Sequence, residues 1–203
     1  MRFDNKALLT ACVAFSALLC ASSLYGQKRA PEIFGTDPGQ TPVLETSVGY
    51  TFLHANAPPG QCGCFSANGG YGSLVFNLPR GFSLVADVSA VHANTIGTTP
   101  QSITVFNYLF GPRYSFRAIS KRYVPYAQAL GGGSEEFSSY SAVQTVSGAA
   151  FSLGGGVSTT LKPYLGWTIV EADWIQSRLP NAQNNLQNNL RLSSGFTFRL
   201  GPR

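Results

Sequence analysis

From Val43 onward the chain alternates apolar and polar residues with a period of two. In "LRLSSGFTFRL" (190–200), Leu190, Leu192, Phe196, Phe198 and Leu200 share one parity, and Arg191, Ser193, Gly195, Thr197 and Arg199 share the other. Successive side chains leave opposite faces of a β-strand, so this pattern predicts strands rather than helices. It recurs along the chain and predicts eight strands, near 43–54, 68–78, 82–93, 102–117, 123–136, 148–160, 164–178 and 188–200. The first, third, fifth and seventh links are long ("APPGQCGCFSAN", "NTIGTTPQ", "SSYSAVQTVS", "PNAQNNLQNN"). The other three are tight ("PRG", "AISKRY", "LKP"). Long and short links alternate in this way in transmembrane barrels, with short turns on the periplasmic side and longer loops outside.

Periodicity does not say which face meets lipid, but composition does. One face of the predicted strands carries Val48, Tyr50, Phe52, Leu84, Val88, Phe106, Tyr108, Phe110, Phe151, Leu153, Val170 and Trp174. The other carries mostly Gly, Ser, Thr and Asn, with one or two charges per strand and no lysine. A face turned to water would be rich in Lys and Glu. Small polar residues suit a crowded interior, and an eight-stranded barrel has an interior just wide enough for side chains to fill. The polar parity also collects Glu45, Asp87, Glu171 and Asp173 together with Arg113, Arg117, Arg191 and Arg199. Buried charges need partners, and four acids with four arginines is the balance a closed lumen requires. Tyr126 falls on the same inward parity, beside Gln128. The expected fold is therefore all-β: an eight-stranded antiparallel up-and-down transmembrane barrel with a polar, side-chain-filled lumen. Its oily face meets hydrocarbon.

The N-terminus fits this reading. Arg2 and Lys6 precede an apolar run from Ala7 to Ala21, and small residues follow. This is the pattern of a cleaved secretory signal, too short to span a bilayer as a helix. We expect residues 1–26 to be the signal, with cleavage after Gly26 or, alternatively, Ser23. Cys20 raises a lipoprotein reading, but Leu19 stands where a small residue is needed. Residues 27–42 are rich in Pro, Gly and charge and read as a flexible periplasmic lead-in to a barrel over 43–201. Export leaves Cys62 and Cys64 as the mature chain's cysteines, in an oxidising compartment. They read as a loop disulfide or a free pair, because two thiolates without a nearby histidine make a poor metal site. No metal and no cofactor is expected. Charged residues are only 11% of the chain, and the formal charge of +5 falls by one when Arg2, Lys6 and Asp4 leave. So small and scattered a charge argues against nucleic acid.

These segments resemble the strands of the small outer-membrane β-barrel proteins of the OmpA/OmpX-like superfamily. The resemblance is carried by "VLETSVGYTFLHAN", "NGGYGSLVFNL", "GFSLVADVSAVHAN", "VPYAQALGGG" and "FSLGGGVS". Its most specific pieces are "YLFGPRYSFR" and "NNLRLSSGFTFRLG". It spans about residues 43–201 and implies a monomeric barrel in the outer membrane, contacting its lipid and lipopolysaccharide and inserted by the barrel-assembly machinery. Many members end in an aromatic residue read by that machinery, whereas this sequence ends Leu200-Gly201-Pro202-Arg203. The wall-anchoring role of larger relatives is not carried over.

Three features invite chemistry. The lumen charges read as a structural plug of ion pairs, with a narrow pore as the alternative. His54 and His92 lie on the lipid-facing parity near the long-link ends of their strands. Some small outer-membrane barrels are lipid A deacylases with His and Ser there, but a carboxylate to orient the histidine is not evident. The runs "GGGSEE" (131–136) and "LGGGVS" (153–158) lack the helix and lysine of a phosphate loop and read as bends or tight packing. No catalytic residue is expected. The expected role is structural or surface-interacting, with a lipid-modifying enzyme as the main alternative. A soluble lipocalin-like binder would require the faces to be reversed.

Overall fold

The computed structural model describes residues 41–55, 65–95, 102–117, 119, 122–138, 145–179 and 185–201. The expected signal (1–26), most of the lead-in and both Cys62 and Cys64 lie outside the described residues. Eight strands follow in chain order: β1 (Leu44–Ala55), β2 (Phe65–Asn77), β3 (Phe82–Ala93), β4 (Ile103–Ser115), β5 (Tyr123–Ser138), β6 (Thr145–Lys162), β7 (Leu165–Ser177) and β8 (Gln187–Leu200). Each pairs antiparallel with its neighbours in sequence. β8 returns to β1, from Leu44↔Leu200 to His54↔Leu190, and closes the barrel. Closure gives each of these strands a neighbour on both sides, and an open sheet edge is what hydrocarbon would not tolerate.

The strand ends at Ala55, Phe65, Ala93, Ile103, Ser138, Thr145, Ser177 and Gln187 lie at one end, here the loop end, and those at Asn77, Phe82, Ser115, Tyr123, Lys162 and Leu165 lie at the other, the turn end. The β2–β3 turn contains a short 3-10 stretch, Pro79–Gly81, in which Arg80 and Gly81 both take positive φ. Gly81 sits at φ 86, and a Cβ there would come 2.8 Å from the Ser115 carbonyl. The alternation of long and short links fails at one point. β5 and β6 stay paired as far as Phe137↔Thr145, so the fifth link shrinks to 139–144.

The two faces are those the alternation predicts. Phe110 is 58% exposed on the outer surface, in company with Val88, Tyr108, Trp174, Leu192 and Phe196. So continuous an apolar surface is foreign to a monomer surrounded by water. On β3 the outward apolar run extends from Phe82 to Ala90, the nine residues a tilted strand needs to cross a bilayer. Tyr114, Tyr123 and Tyr164 lie outward toward the turn end, suited to an interface where the ring is buried and the hydroxyl is wet.

At the loop end the polarity inverts. His54, Ser66, Asn68, His92 and Asn94 are exposed on the outside, while Leu53, Phe65, Ala67, Val91, Ile103, Val105 and Ile175 form a buried cluster inside. Above the apolar band the barrel is thus built like a water-soluble one, with a dry core. This is why β2 begins at Phe65 rather than near 68: Phe65 and Ala67 continue the strand as inward residues of that core. A second apolar cluster, with Val75, Val85, Leu109 and Leu130, lines the wall lower down. The lumen is therefore polar through only part of its length. Apolar filling costs nothing in desolvation, whereas each buried polar group needs a partner.

A further departure lies in β7. A register shift between Thr168 and Glu171 against β8 marks a β-bulge, also seen in the pairing with β6. Trp167 and Glu171 share a parity in the sequence, yet Trp167 is on the outside and Glu171 is buried. The extra residue re-aims everything after it, as bulges do.

Candidate functional site: the lumen charge cluster

Arg191, on β8, has no exposed surface. Its guanidinium reaches three carboxylates. Nη1 donates to Asp87 Oδ1 at 2.5 Å, Nε and Nη2 donate to Asp173 Oδ2 at 3.1 and 2.8 Å, and Nη2 donates to Glu171 Oε1 at 3.3 Å. Asp173 is its direct cross-strand neighbour, fixed by β7–β8 register. Asp87 comes from β3, across the lumen. Arginine suits this hub because its planar fork serves several acceptors at once.

A second layer encloses the first. Arg113, on β4, donates from Nε and Nη2 to Gln128 Oε1 at 2.9 and 2.6 Å, and from Nη2 to Glu171 Oε2 at 3.3 Å. Its guanidinium lies 4.1 Å from the centre of the Tyr126 ring. The Tyr126 hydroxyl donates to Glu171 Oε2 at 2.5 Å, and Gln128 Nε2 donates to Asp173 Oδ1 at 2.9 Å. Five strands are thus braced through one set of charge-assisted bonds, of the kind roughly twice as strong as neutral ones.

Glycines make room for these side chains. A Cβ on Gly156 would lie 2.7 Å from the Tyr126 hydroxyl, and one on Gly154 would overlap the Asp173 carboxylate. Tyr71, from β2, lies over the paired Gly49 and Gly195, where an added Cβ would come 2.7 and 2.9 Å from its ring and hydroxyl. The "LGGGVS" run therefore serves packing.

The eight charged residues do not form one network. Asp87, Glu171, Asp173, Arg113 and Arg191 meet in the middle. Glu45 and Arg199, cross-strand neighbours on β1 and β8, stand 3.5 Å apart nearer the turn end. Arg117 donates to Thr41 Oγ1 at 3.1 Å and Asn77 Oδ1 at 3.3 Å at the mouth itself. Sequence reasoning assigned no role to Ser89, 3.3 Å from Arg191 Nη1, or to Asn107 and Ser134, which extend the bonding away from it. Their inward parity was the available signal.

The histidines lie on the outer surface at the loop end. His54 Nδ1 is 3.4 Å from Ser66 Oγ. His92 contacts Thr104 Oγ1 at 2.8 Å and Asn94 Oδ1 at 3.0 Å. Among the described residues no cluster of His, Cys, Asp and Glu is arranged to hold a metal ion.

No family model and no curated protein matches the sequence. Solved structures do match the shape. Neisserial surface protein A (NspA) superposes with a TM-score of 0.59 at 13% identity, over 77% of this chain and 96% of that one. Ail, the attachment invasion locus protein of Yersinia pestis, does so with a TM-score of 0.52 at 12% identity, over 76% and 97%. The fold is that of the small outer-membrane β-barrels. The eight-stranded barrel fold expected from the sequence is thus the fold these solved structures share with the chain. At such low identity the shared property is architecture, and function has to be argued from this chain's own residues.

Proposed function

We propose that this chain is an integral outer-membrane protein, exported by a cleaved signal, with a structural or surface-interaction role and no enzymatic one. Its loop end faces outward and its turn end faces the periplasm. Its partners are outer-membrane lipid and lipopolysaccharide, with the barrel-assembly machinery acting during insertion. The observation that carries this reading is the filled interior. The fully buried Arg191 hub blocks the middle of the lumen, and the cluster of Leu53, Phe65, Val105 and Ile175 closes the loop end with apolar side chains. An ion crossing the barrel would have to displace both. With the middle and the loop end of the interior committed to holding the barrel together, the outward-facing surfaces left for recognition are the loops and the polar residues below them, on a rigid scaffold. Ail, also solved with the heparin analogue sucrose octasulfate, is a precedent for a binding role on this architecture.

A lipid-modifying enzyme is the second reading, favoured by the His54–Ser66 pair at the rim. A serine nucleophile needs a base held in the right tautomer by a third group. Among the described residues, neither histidine bonds a carboxylate. Planar-bilayer recording tests the sealed lumen. The folded protein in concentrated KCl is expected to give no discrete conductance steps, and reproducible steps from pure protein would overturn the proposal.

A further inference from the structure

The lumen charges balance in number, but they are segregated along the axis. The middle holds three carboxylates, Asp87, Glu171 and Asp173, around Arg191, with Arg113 reaching in beside them. Next to this cluster, at the turn end, lies a cavity of about 30 Å³ lined by Arg113, Arg117 and Arg199, with Glu45 the one carboxylate among the described residues of its wall. That volume exceeds what a single water requires. The hydroxyls of Ser115 and Thr197 also face the cavity.

Two of these arginines have donors to spare. Arg199 Nη1 donates to Thr160 Oγ1 at 2.6 Å, but its Nε is buried with no hydrogen-bond partner among the described residues. Glu45 Oε1, at 3.5 Å from that Nε, is close enough to pair in charge and too poorly placed to bond. Arg113 commits Nε and Nη2 to Gln128 and Glu171, and no bond is seen from its Nη1 to any described residue. Of these donors Arg199 Nε is the buried one, and a buried donor on a charged group is costly to leave unmet. Guanidinium forks match the paired oxygens of an oxyanion.

We propose that the turn-end cavity is an oxyanion-binding vestibule, holding a small anion of the inorganic phosphate class between Arg113 and Arg199, with Glu45 limiting its affinity. The binding chemistry does not depend on which compartment the cavity faces. Under the orientation proposed above, the vestibule draws its anion from the periplasm.

The test is calorimetric titration of inorganic phosphate into the folded full chain in a maltoside detergent, at constant ionic strength set with sodium chloride. Saturable one-site binding is expected. Arg199→Gln is expected to weaken it about tenfold, the effect of losing a hydrogen bond to a charged group. Glu45→Gln is expected to strengthen it several-fold by removing a competing carboxylate. The opposite signs separate a site from general disruption, and each variant's folding is checked by its mobility on an unheated gel. Absence of saturable binding to the unsubstituted chain, equal affinity in both variants, or equal displacement by chloride would overturn the proposal.

Discussion

Replacing Arg191 with methionine is expected to lower the free energy of unfolding by about 3–5 kcal/mol, the cost typical of stripping one partner from a buried ion pair. The side chain has no exposed surface and bonds Asp87, Asp173 and Glu171. Methionine fills much of the volume, so the loss is electrostatic rather than a cavity. Three buried carboxylates would be left with Arg113 as their nearest cation among the described residues. The same argument predicts a rescue. Adding Asp87→Asn and Asp173→Asn to the methionine variant removes the uncompensated charges and is expected to recover more than half of the loss. Urea titration in detergent micelles, followed by gel mobility, measures both. A methionine variant as stable as the parent would mean that Arg191 is not the hub described here.

Val88→Arg is expected to cost about 2–4 kcal/mol for insertion into lipid vesicles, the range for arginine near the midplane of a membrane barrel. Val88 is exposed in the middle of β3, between Gly72 and Tyr108 of the flanking strands. Asn94→Arg, on the same strand's extension into the polar collar, is expected to change the free energy by less than about 0.5 kcal/mol, as an ordinary surface substitution does. The contrast between the two positions locates the edge of the hydrocarbon. If both faced water, both substitutions would be nearly silent.

Much of the architecture was legible because its code is local. A strand with one face in lipid and the other in a packed lumen must alternate, and the burial of β3, β4 and β8 does so, even where Val85 and Leu109 put apolar side chains on the inner face. The inward placement of Tyr126 beside Gln128, read from parity, is where the structure puts both. What escaped was set by non-local geometry. The bulge in β7 reverses parity between Trp167 and Glu171, and no residue nearby advertises it. The loop-end core of Leu53, Phe65 and Val105 uses the same period of two with the faces exchanged, so part of it read as loop. Which charges meet depends on strand stagger. Direct cross-strand pairs such as Asp173–Arg191 and Glu45–Arg199 follow from register, but the reach of Arg191 to Asp87 crosses the lumen and appears only once the barrel is closed.

The central claim is that the apolar face meets lipid and the charged face lies within. The most direct test is to fractionate cells expressing the chain and run the outer-membrane fraction on a gel, unheated and boiled. We predict a band in that fraction whose mobility changes on boiling, because a closed barrel resists detergent until heat unfolds it. A soluble periplasmic band with no such change would contradict the account and would turn the aromatic face inward.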